Sequence, residues 1–207
     1  MTIRPDNEET RKLAAEIISQ GGLIAFRTDT FYGIGADPLN EEAVARIKSL
    51  KGREEGKPIL LLVGDLLDVD PLLSERPALF EVVASAFWPG PLTIVVPSAA
   101  ELPDEITAGT RSVGLRLPDD EGVRGLVSIC GGRLTATSAN LSGSVAARSA
   151  ADVENYFPAG IDLIIDGGEV TATKPSTVLD ITVEPPKLIR EGAVTKEALL
   201  KVVGKLD

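Results

Sequence analysis

The 207-residue chain predicts one α/β domain built on a mixed β-sheet. Short apolar runs alternate with segments of helical periodicity along the chain, a pattern typical of interleaved strands and helices. Its 20 glycines and 14 prolines supply the turns that such a fold needs. Hydrophobic residues make up 43% of the chain and aromatic residues only 4%, so we expect a core of aliphatic side chains. We find no repeat, low-complexity tract or linker long enough to divide it, which predicts a single domain over residues 1–207.

Capping residues and apolar stripes define the helices. Asp6 or Asn7 can cap a first helix that a glycine pair ends, and Asn40 can cap a second helix. Thr195 can cap the last helix. The predicted helices cover residues 7–20, 41–51, 75–87, 122–130, 151–157 and 196–203.

Apolar runs bounded by turn residues define the strands. The run at residues 23–26 reads as a short buried strand, and residues 112–117 alternate well enough for another. The segment after residue 96 is rich in Pro, Asp, Glu and Thr and is predicted to be a loop. The predicted strands cover residues 23–26, 58–63, 92–96, 112–117, 134–137, 163–165, 178–183 and 188–190.

Composition excludes several kinds of function. The chain contains no histidine, which removes histidine-based triads, general bases and metal sites. Cys130 is the single cysteine, so neither an internal disulfide nor a thiolate zinc site is expected, and a reducing cytoplasm fits. No apolar run approaches the roughly 20 residues of a membrane span, and the polar N-terminus is unlike a secretory signal. The net charge of −10 argues against a general nucleic-acid binder but allows a local basic pocket.

A polar stretch at residues 27–35 follows the first predicted strand. It holds two threonines, an aspartate, a tyrosine and two glycines at the edge of the sheet where ligands often bind. The alternative is a turn in which Asp29 and Thr30 satisfy local backbone groups. The stretch alone does not decide between them.

Cations are concentrated at residues 51–58, in a loop broken by glycines. Lys51, Arg53 and Lys57 suit an anion clamp, because arginine offers a planar fork and lysine a mobile charge to phosphates. The alternative is that Lys48 and Lys51 complement a helix dipole while the rest is solvated. The spacing is not that of a Walker loop.

Two further groups of residues suit an anionic ligand. Residues 135–143 combine hydroxyls, an amide and a glycine after a short strand, although an Asx turn would also explain them. Arg116 and Arg190 lie within or beside apolar strands, where an arginine needs either a structural ion pair or an anionic ligand. Asp166 with its two glycines indicates a turn, and the segment around Trp88 a rigid corner.

Together these segments resemble the YrdC/TsaC family of L-threonylcarbamoyladenylate synthases. The resemblance covers residues 21–193 and rests on seven motifs in the family's order, a very specific signal. The motifs are Thr28-Asp29-Thr30-Phe31-Tyr32-Gly33, Lys51-Gly52-Arg53, Phe87-Trp88-Pro89-Gly90-Pro91-Leu92-Thr93, Gly114-Leu115-Arg116-Leu117-Pro118, Thr137-Ser138-Ala139-Asn140-Leu141-Ser142-Gly143, Ser176-Thr177-Val178 and Arg190-Glu191-Gly192.

The resemblance implies a twisted open sheet around a concave cavity, and an enzyme that joins ATP, L-threonine and bicarbonate into threonylcarbamoyl-AMP and pyrophosphate. It implies three sets of residues. A nucleotide-handling tetrad corresponds to Lys51, Arg53, Ser138 and Asn140. Further ATP contacts correspond to Lys57, Ser112, Ala146 and Arg190. Threonine contacts correspond to Thr30, Arg116, Ala136 and Ser176, with Arg116 the partner of the threonine carboxylate.

The resemblance also implies partners. Mg²⁺ would arrive with ATP rather than on a protein metal site, and the product would serve tRNA modification, with hand-over to a tRNA threonylcarbamoyl transferase complex. The alternatives are a family paralogue with a carbamoyl-transfer role and a weak RNA-binding module. Arg27 stands where the family usually has proline, and Leu62 where some longer members have a histidine near threonine. Because the chain stops soon after Arg190, we expect the short form without an additional C-terminal domain.

Overall fold

The structure is a computed structural model that describes residues 1–52 and 58–207. Within these ranges ten strands form one mixed sheet flanked by helices, which confirms the predicted α/β class. The strands are β1 (Thr2–Pro5), β2 (Ile24–Phe26), β3 (Gly33–Gly35), β4 (Leu60–Val63), β5 (Leu92–Pro97), β6 (Ser112–Arg116), β7 (Arg133–Ser138), β8 (Leu163–Asp166), β9 (Thr177–Asp180) and β10 (Lys187–Arg190). The α-helices are α1 (Glu8–Ser19), α2 (Glu41–Leu50), α3 (Phe80–Phe87), α4 (Asp104–Thr107), α5 (Glu121–Ile129), α6 (Ala150–Tyr156) and α7 (Lys196–Val203).

The sheet is open, with β1 and β10 at its edges, and its order is β1-β8-β2-β3-β7-β4-β6-β5-β9-β10. The pairs β1–β8, β2–β8, β4–β6 and β5–β9 are parallel, and the other neighbours are antiparallel. In the centre, Leu62 of β4 lies beside Arg116 of β6, while Leu60 of β4 lies beside Ala136 of β7. This register brings residues from three distant segments onto neighbouring strands.

Side-chain caps begin the three helices for which the sequence names a capping residue. Asn7, rather than Asp6, accepts a hydrogen bond from the amide of Thr10 at 2.9 Å. Asn40 and Thr195 cap α2 and α7 in the same way. Each cap satisfies an amide that the first helical turn leaves without a partner, at a gain of about 1 kcal/mol.

Two strands escape prediction from the sequence. All four residues of β1 are exposed, so no buried apolar run marks the strand. Strand β3 is only Gly-Ile-Gly, a composition that indicates a turn. Gly35 is needed there, because a Cβ atom would lie 2.7 Å from Cε1 of Phe26 on the neighbouring strand.

Other boundaries differ for identifiable reasons. Helix α3 begins at Phe80 rather than residue 75, because Pro77 disfavours helical geometry at the residue before it. Strand β9 ends at Asp180 rather than 183, since the Asp180 carboxylate accepts the amide of Thr182 at 2.8 Å and turns the chain. The segment predicted as a loop after β5 contains the single-turn helix α4.

Two clusters of buried aliphatic side chains hold the sheet. The smaller packs α1 and α5 against β2, β7 and β8, with Ile18 and Val127 as representative members. The larger joins α2, α3, α6 and α7 to most of the strands. The expected aliphatic core is confirmed.

The corner at Trp88 is structural as predicted: its indole N–H donates to the carbonyl of Leu92 at 2.7 Å, and its ring meets Phe80 edge-on.

Along residues 1–52 and 58–207, none of the helices combines the length and the apolar character that crossing a membrane requires.

Candidate functional site

A cavity of about 1110 Å³ lies over the central strands. Every predicted site residue that the structure describes contributes to its lining, although these residues come from segments spread over more than 150 positions of the chain. They are Thr30, Lys51, Ser112, Arg116, Ala136, Ser138, Asn140, Ala146, Ser176 and Arg190. Arg53 and Lys57 lie outside the described residues. The expected concave cavity is therefore present.

Thr28 shapes the polar stretch after β2. Its hydroxyl donates to the carbonyl of Phe31 at 2.7 Å and accepts the amides of Thr30 and Phe31 at 3.1 and 3.2 Å. The hydroxyls of Thr28 and Thr30 lie 3.1 Å apart. Since the Thr28 proton is committed to Phe31, Thr30 donates in this pair. A local turn is therefore present and places Thr30 in the cavity lining, whereas ligand binding by this stretch stays a prediction.

Arg116 lies almost completely buried on the floor of the cavity, with 3% of its surface exposed. Its Nη2 forms an ion pair with Asp29, and its Nη1 donates to the Thr30 hydroxyl at 3.1 Å. Burial lowers the pKa of Arg116 below its usual range, an effect that the Asp29 carboxylate opposes. Among the described residues, its Nε has no hydrogen-bond partner. The arginine thus has a structural ion pair and also faces the cavity.

Ser176 completes the floor of the cavity, and Arg190 at the end of β10 contacts it. The Ser176 hydroxyl is buried and accepts a hydrogen bond from Thr93 at 3.1 Å. Arg190 donates through Nε and Nη2 to the carbonyl of Ser176, at 3.2 and 2.9 Å. Partial burial of the guanidinium lowers the pKa of Arg190. Arg190 is otherwise exposed, so much of it remains accessible from the cavity.

Lys51 connects the end of α2 to the loop after β7. Its ammonium group donates to the carbonyls of Ser138 and Asn140, the latter at 2.9 Å. Its own carbonyl accepts the amide of Ser142 at 3.3 Å. The lysine is 5% exposed, which is low for a side chain that normally keeps its charge in water. It therefore positions the loop as well as lining the cavity.

Asn140 folds this loop from within. Its amide nitrogen donates to the carbonyls of Leu141 and Ser144, at 3.0 and 2.6 Å. Within the described part of the chain, its amide oxygen is buried without a hydrogen-bond partner. A buried polar atom left in this state costs free energy, so a donor from a ligand would be favourable here.

Three predicted site residues are small and uncharged, and they line the cavity. Ser112 lies near the cavity mouth, with its hydroxyl 2.9 Å from that of Thr110. Ala136 is buried on β7, and Ala146 is half-buried in the loop. Small side chains at these positions leave room for a ligand to approach the backbone.

The charge of the cavity is opposite to that of the protein. Its described lining contains the cations Lys51, Arg111, Arg116 and Arg190 and the carboxylate of Asp180. A chain with a net charge of −10 therefore has a locally positive cavity, suited to an anionic ligand.

The structure adds site residues that the sequence reasoning missed. Thr93 lines the cavity and orients Ser176, and Arg111 lies beside Ser112. The sequence places Asp29 in a motif but does not predict its pairing with Arg116. This pairing joins positions 87 residues apart. A lone arginine in an apolar strand was the available signal that such a partner exists.

Two departures from the family pattern have different consequences. Arg27 is absent from the cavity lining, and its guanidinium pairs with Asp120 at 2.9 Å, tying the end of β2 to the N-cap of α5. Leu62 is buried, lines the cavity and lies beside Arg116 in the sheet. An apolar side chain therefore lies beside Arg116 at this position.

A motif outside the cavity lining is structural. Asp166 and its two glycines form a turn, as predicted, and the carbonyl of Gly168 accepts a hydrogen bond from the Tyr32 hydroxyl at 2.9 Å.

Comparisons with known proteins agree with these features. The family model Sua5_yciO_yrdC, described as telomere recombination, matches residues 16–192. A threonylcarbamoyl-AMP synthase of Pyrococcus abyssi is 39% identical over 207 residues, which are the whole of this chain and 61% of that protein. A threonylcarbamoyl-AMP synthase of Stutzerimonas stutzeri is 38% identical over 167 residues, or 81% of this chain and 90% of that protein.

The structural comparison is equally extensive. The crystal structure of P. abyssi Sua5 complexed with L-threonine matches with a TM-score of 0.93 and 38% identity, over all of this chain and 61% of that one. The chain therefore spans about three fifths of the length of the P. abyssi relative. The family-model match, the sequence identity to these relatives and the similarity of fold establish that this chain belongs to the Sua5/YciO/YrdC family.

Proposed function

We propose that this protein is an L-threonylcarbamoyladenylate synthase, which converts ATP, L-threonine and bicarbonate to threonylcarbamoyl-AMP and pyrophosphate. One observation carries the proposal: the described residues that are predicted to bind threonine and ATP line the same cavity. Relatives that are 38–39% identical to this chain over the aligned residues are named threonylcarbamoyl-AMP synthase. A solved relative with the same fold was crystallised with L-threonine.

Threonine would bind on the floor of the cavity. Its carboxylate would accept hydrogen bonds from the Nε of Arg116, the buried donor that lacks a partner among the described residues. The hydroxyls of Thr30 and Ser176 would meet its polar groups. Leu62 would contact its apolar atoms, because it lies beside Arg116 in the sheet.

ATP would bind toward the loop side. Lys51, Ser138 and Asn140 would face its phosphates, with Ser112, Ala146 and Arg190 along the remaining length of the nucleotide. Arg53 and Lys57 remain predicted members of this set. The positive lining supports a triphosphate ligand, because a negative protein must concentrate its cations where the anion binds.

The reaction requires two bond-forming steps. The threonine amine would bond to the carbon of bicarbonate as water leaves, which gives a carbamate. A carbamate oxygen would then bond to the α-phosphorus of ATP while the bond to pyrophosphate breaks. The protein's part is to hold the reactants in line and to neutralise charge, so the absence of histidine is no obstacle.

Mg²⁺ would enter as part of the ATP substrate. Among the described residues, no group of three histidine, cysteine or acidic side chains is arranged to hold a metal ion. The oxygen-rich triphosphate is the natural ligand for this ion, and it would neutralise charge on the departing pyrophosphate.

The product would serve threonylcarbamoyladenosine formation in tRNA, next to the anticodon. We propose that it acts in the cytoplasm, where ATP and tRNA are available, and that a tRNA threonylcarbamoyl transferase complex accepts the product. These partners follow from the chemistry of an activated carbamoyl group, which needs an acceptor.

The test is pyrophosphate release from ATP by the purified protein, with threonine or bicarbonate omitted in turn. We expect release only when both are present, and its loss in Lys51→Ala. Lys48→Ala is the matched control, since it removes a charge from the same helix but outside the cavity lining. Pyrophosphate release that does not depend on threonine would instead indicate a carbamoyl-transfer paralogue.

An RNA-binding role is the alternative from another class. It would require RNA affinity that falls steeply with salt, without ATP turnover. The positive cavity allows this, whereas the net charge of −10 and the low aromatic content oppose it. Absence of pyrophosphate release together with salt-dependent RNA binding would overturn the proposed synthase function.

A further inference from the structure

Asp29 is an acidic residue to which the proposed reaction assigns no role. It follows β2, and its side chain is 12% exposed against Arg116, whose side chain is 4% exposed. Asp29 is absent from the cavity lining, whereas its ion-pair partner Arg116 and its chain neighbour Thr30 are present. The carboxylate therefore lies behind the floor of the cavity.

Both oxygens of Asp29 contact protein donors. Oδ1 pairs with Nη2 of Arg116, and Oδ2 accepts the amide of Asp119 at 3.4 Å. Asp119 begins the turn after β6, the strand that carries Arg116. Asp29 thus links the segment after β2 to Arg116 and to the segment that follows β6.

The other contacts of Arg116 identify the buried nitrogen that lacks a partner. Nη1 is occupied by the Thr30 hydroxyl at 3.1 Å, and Nη2 by Asp29. These two contacts hold the terminal end of the guanidinium plane. Nε, on the lateral edge of the plane, lacks a partner among the described residues. An arginine can bind a carboxylate through this lateral edge while its terminal end is held elsewhere.

The pairing also sets the charge of the floor. A guanidinium without a partner would leave one positive charge buried, which is costly. With Asp29 beside it, the floor is close to neutral and retains a directional donor. Such a site suits an amino acid, whose ammonium and carboxylate groups sum to zero, better than a small anion.

We propose that Asp29 is a positioning residue that fixes Arg116 so that its lateral edge receives the carboxylate of the amino-acid substrate. This inference rests on the proposed function for the identity of that substrate. Asp29 acts through Arg116 and does not contact the substrate.

The test measures the kinetic constants of Asp29→Asn. Its amide retains the size of the side chain but loses the charge that orients Arg116. We expect KM for L-threonine to rise at least about tenfold, the loss of one charge-assisted hydrogen bond. KM for ATP should remain within about twofold. Asp29→Glu, which keeps the charge, should restore part of the threonine affinity.

Asp119→Asn is the matched control, because it removes an exposed carboxylate next to the backbone amide that Asp29 contacts. It should leave both KM values unchanged. Equal KM values for threonine in wild type and Asp29→Asn would overturn the proposal. So would a parallel rise in both KM values, since that would indicate a general structural defect.

Calorimetric titration of L-threonine and ATP into the same folded proteins separates this inference from the proposed function. If the wild type binds threonine without releasing pyrophosphate, the synthase function fails but the Asp29 proposal is still tested by the binding constants. Loss of threonine binding with retained ATP binding in Asp29→Asn supports the proposal. Unchanged threonine binding in that variant contradicts it.

Discussion

The floor and the loop side of the cavity are built in different ways. On the floor, Thr30, Arg116 and Ser176 are each no more than 6% exposed, and they bond to other side chains. On the loop side, Ser138 is exposed, and the buried Lys51 and Asn140 donate to backbone carbonyls. Buried side chains bonded to one another cannot be changed singly without leaving a partner unsatisfied.

This difference predicts how binding and stability are coupled. A substitution on the floor should affect the proposed threonine binding and the free energy of unfolding together. A substitution on the loop side should affect ATP binding more than stability. Substitutions at single positions test this division between the floor and the loop side.

The largest effect is expected for Arg116→Met. The change leaves the Asp29 carboxylate buried without its partner and should cost about 3–5 kcal/mol in the free energy of unfolding. It should also abolish threonine-dependent pyrophosphate release. Urea denaturation measures the stability change.

The double variant Asp29→Asn/Arg116→Met is the control. It removes both charges and should recover part of the lost stability without restoring activity. If the single and double variants are equally destabilised, the ion pair is not what holds the floor.

Asn140→Ala tests the division at the loop residue that most resembles the floor. It removes hydrogen bonds to the carbonyls of Leu141 and Ser144 and should cost about 1–3 kcal/mol. KM for ATP should rise while KM for threonine stays unchanged. Ser142→Ala, an exposed change in the same loop, is the comparison for both measurements.

Alkaline pH should lower the free energy of unfolding through ionisation of Tyr32, a buried residue of the cavity lining. Burial, together with the neighbouring Asp166 carboxylate, raises the pKa of Tyr32 to about 12. Because the folded state keeps the phenol protonated, its contribution is complete below the unfolded pKa near 10 and is lost as pH rises through about 12.

Urea denaturation at pH 8 and pH 11 checks this prediction with Tyr32→Phe as the reference. The variant should be less stable at pH 8, since it lacks the hydrogen bond to Gly168, and the difference should shrink at pH 11. A constant difference between the two pH values would contradict the assignment.

The smallest effect is expected for Arg111→Gly at the cavity mouth. Arg111 has a φ of 55°, a left-handed conformation that costs a non-glycine residue about 1 kcal/mol. Glycine should raise Tm by about 2–4 °C, as measured by differential scanning calorimetry. Ala108→Gly, at a φ of 52° in the same turn, should give a similar rise. A fall in Tm for both variants would show that the side chains contribute more than the backbone strain costs.

The sequence was most informative where residues act locally or belong to motifs. The caps at Asn40 and Thr195 follow from side-chain chemistry within four residues, and the structure confirms them. The predicted site residues that the structure describes do line one cavity, whereas their individual roles stay predictions. The extent of the domain over residues 1–207 also stays a prediction.

The sequence was least informative where contacts cross the sheet. Strand β3 is too short and too rich in glycine to show a pattern, and its conformation depends on pairing with β2 and β7. The partners of Arg116 and Ser176 lie 87 and 83 residues away in the chain, so no local signal identifies them. Only the folded arrangement of the strands and of the loops that follow them brings these pairs together.

The proposed function requires that this protein combines ATP, L-threonine and bicarbonate into one product. Mass spectrometry of the nucleotide products, with ¹³C-labelled bicarbonate, ATP and L-threonine as reactants, tests this most directly. We predict a threonylcarbamoyl-AMP product that carries the label in wild type and is absent in Arg116→Met. Pyrophosphate formation without a labelled nucleotide product, or a labelled product that persists in Arg116→Met, would contradict it.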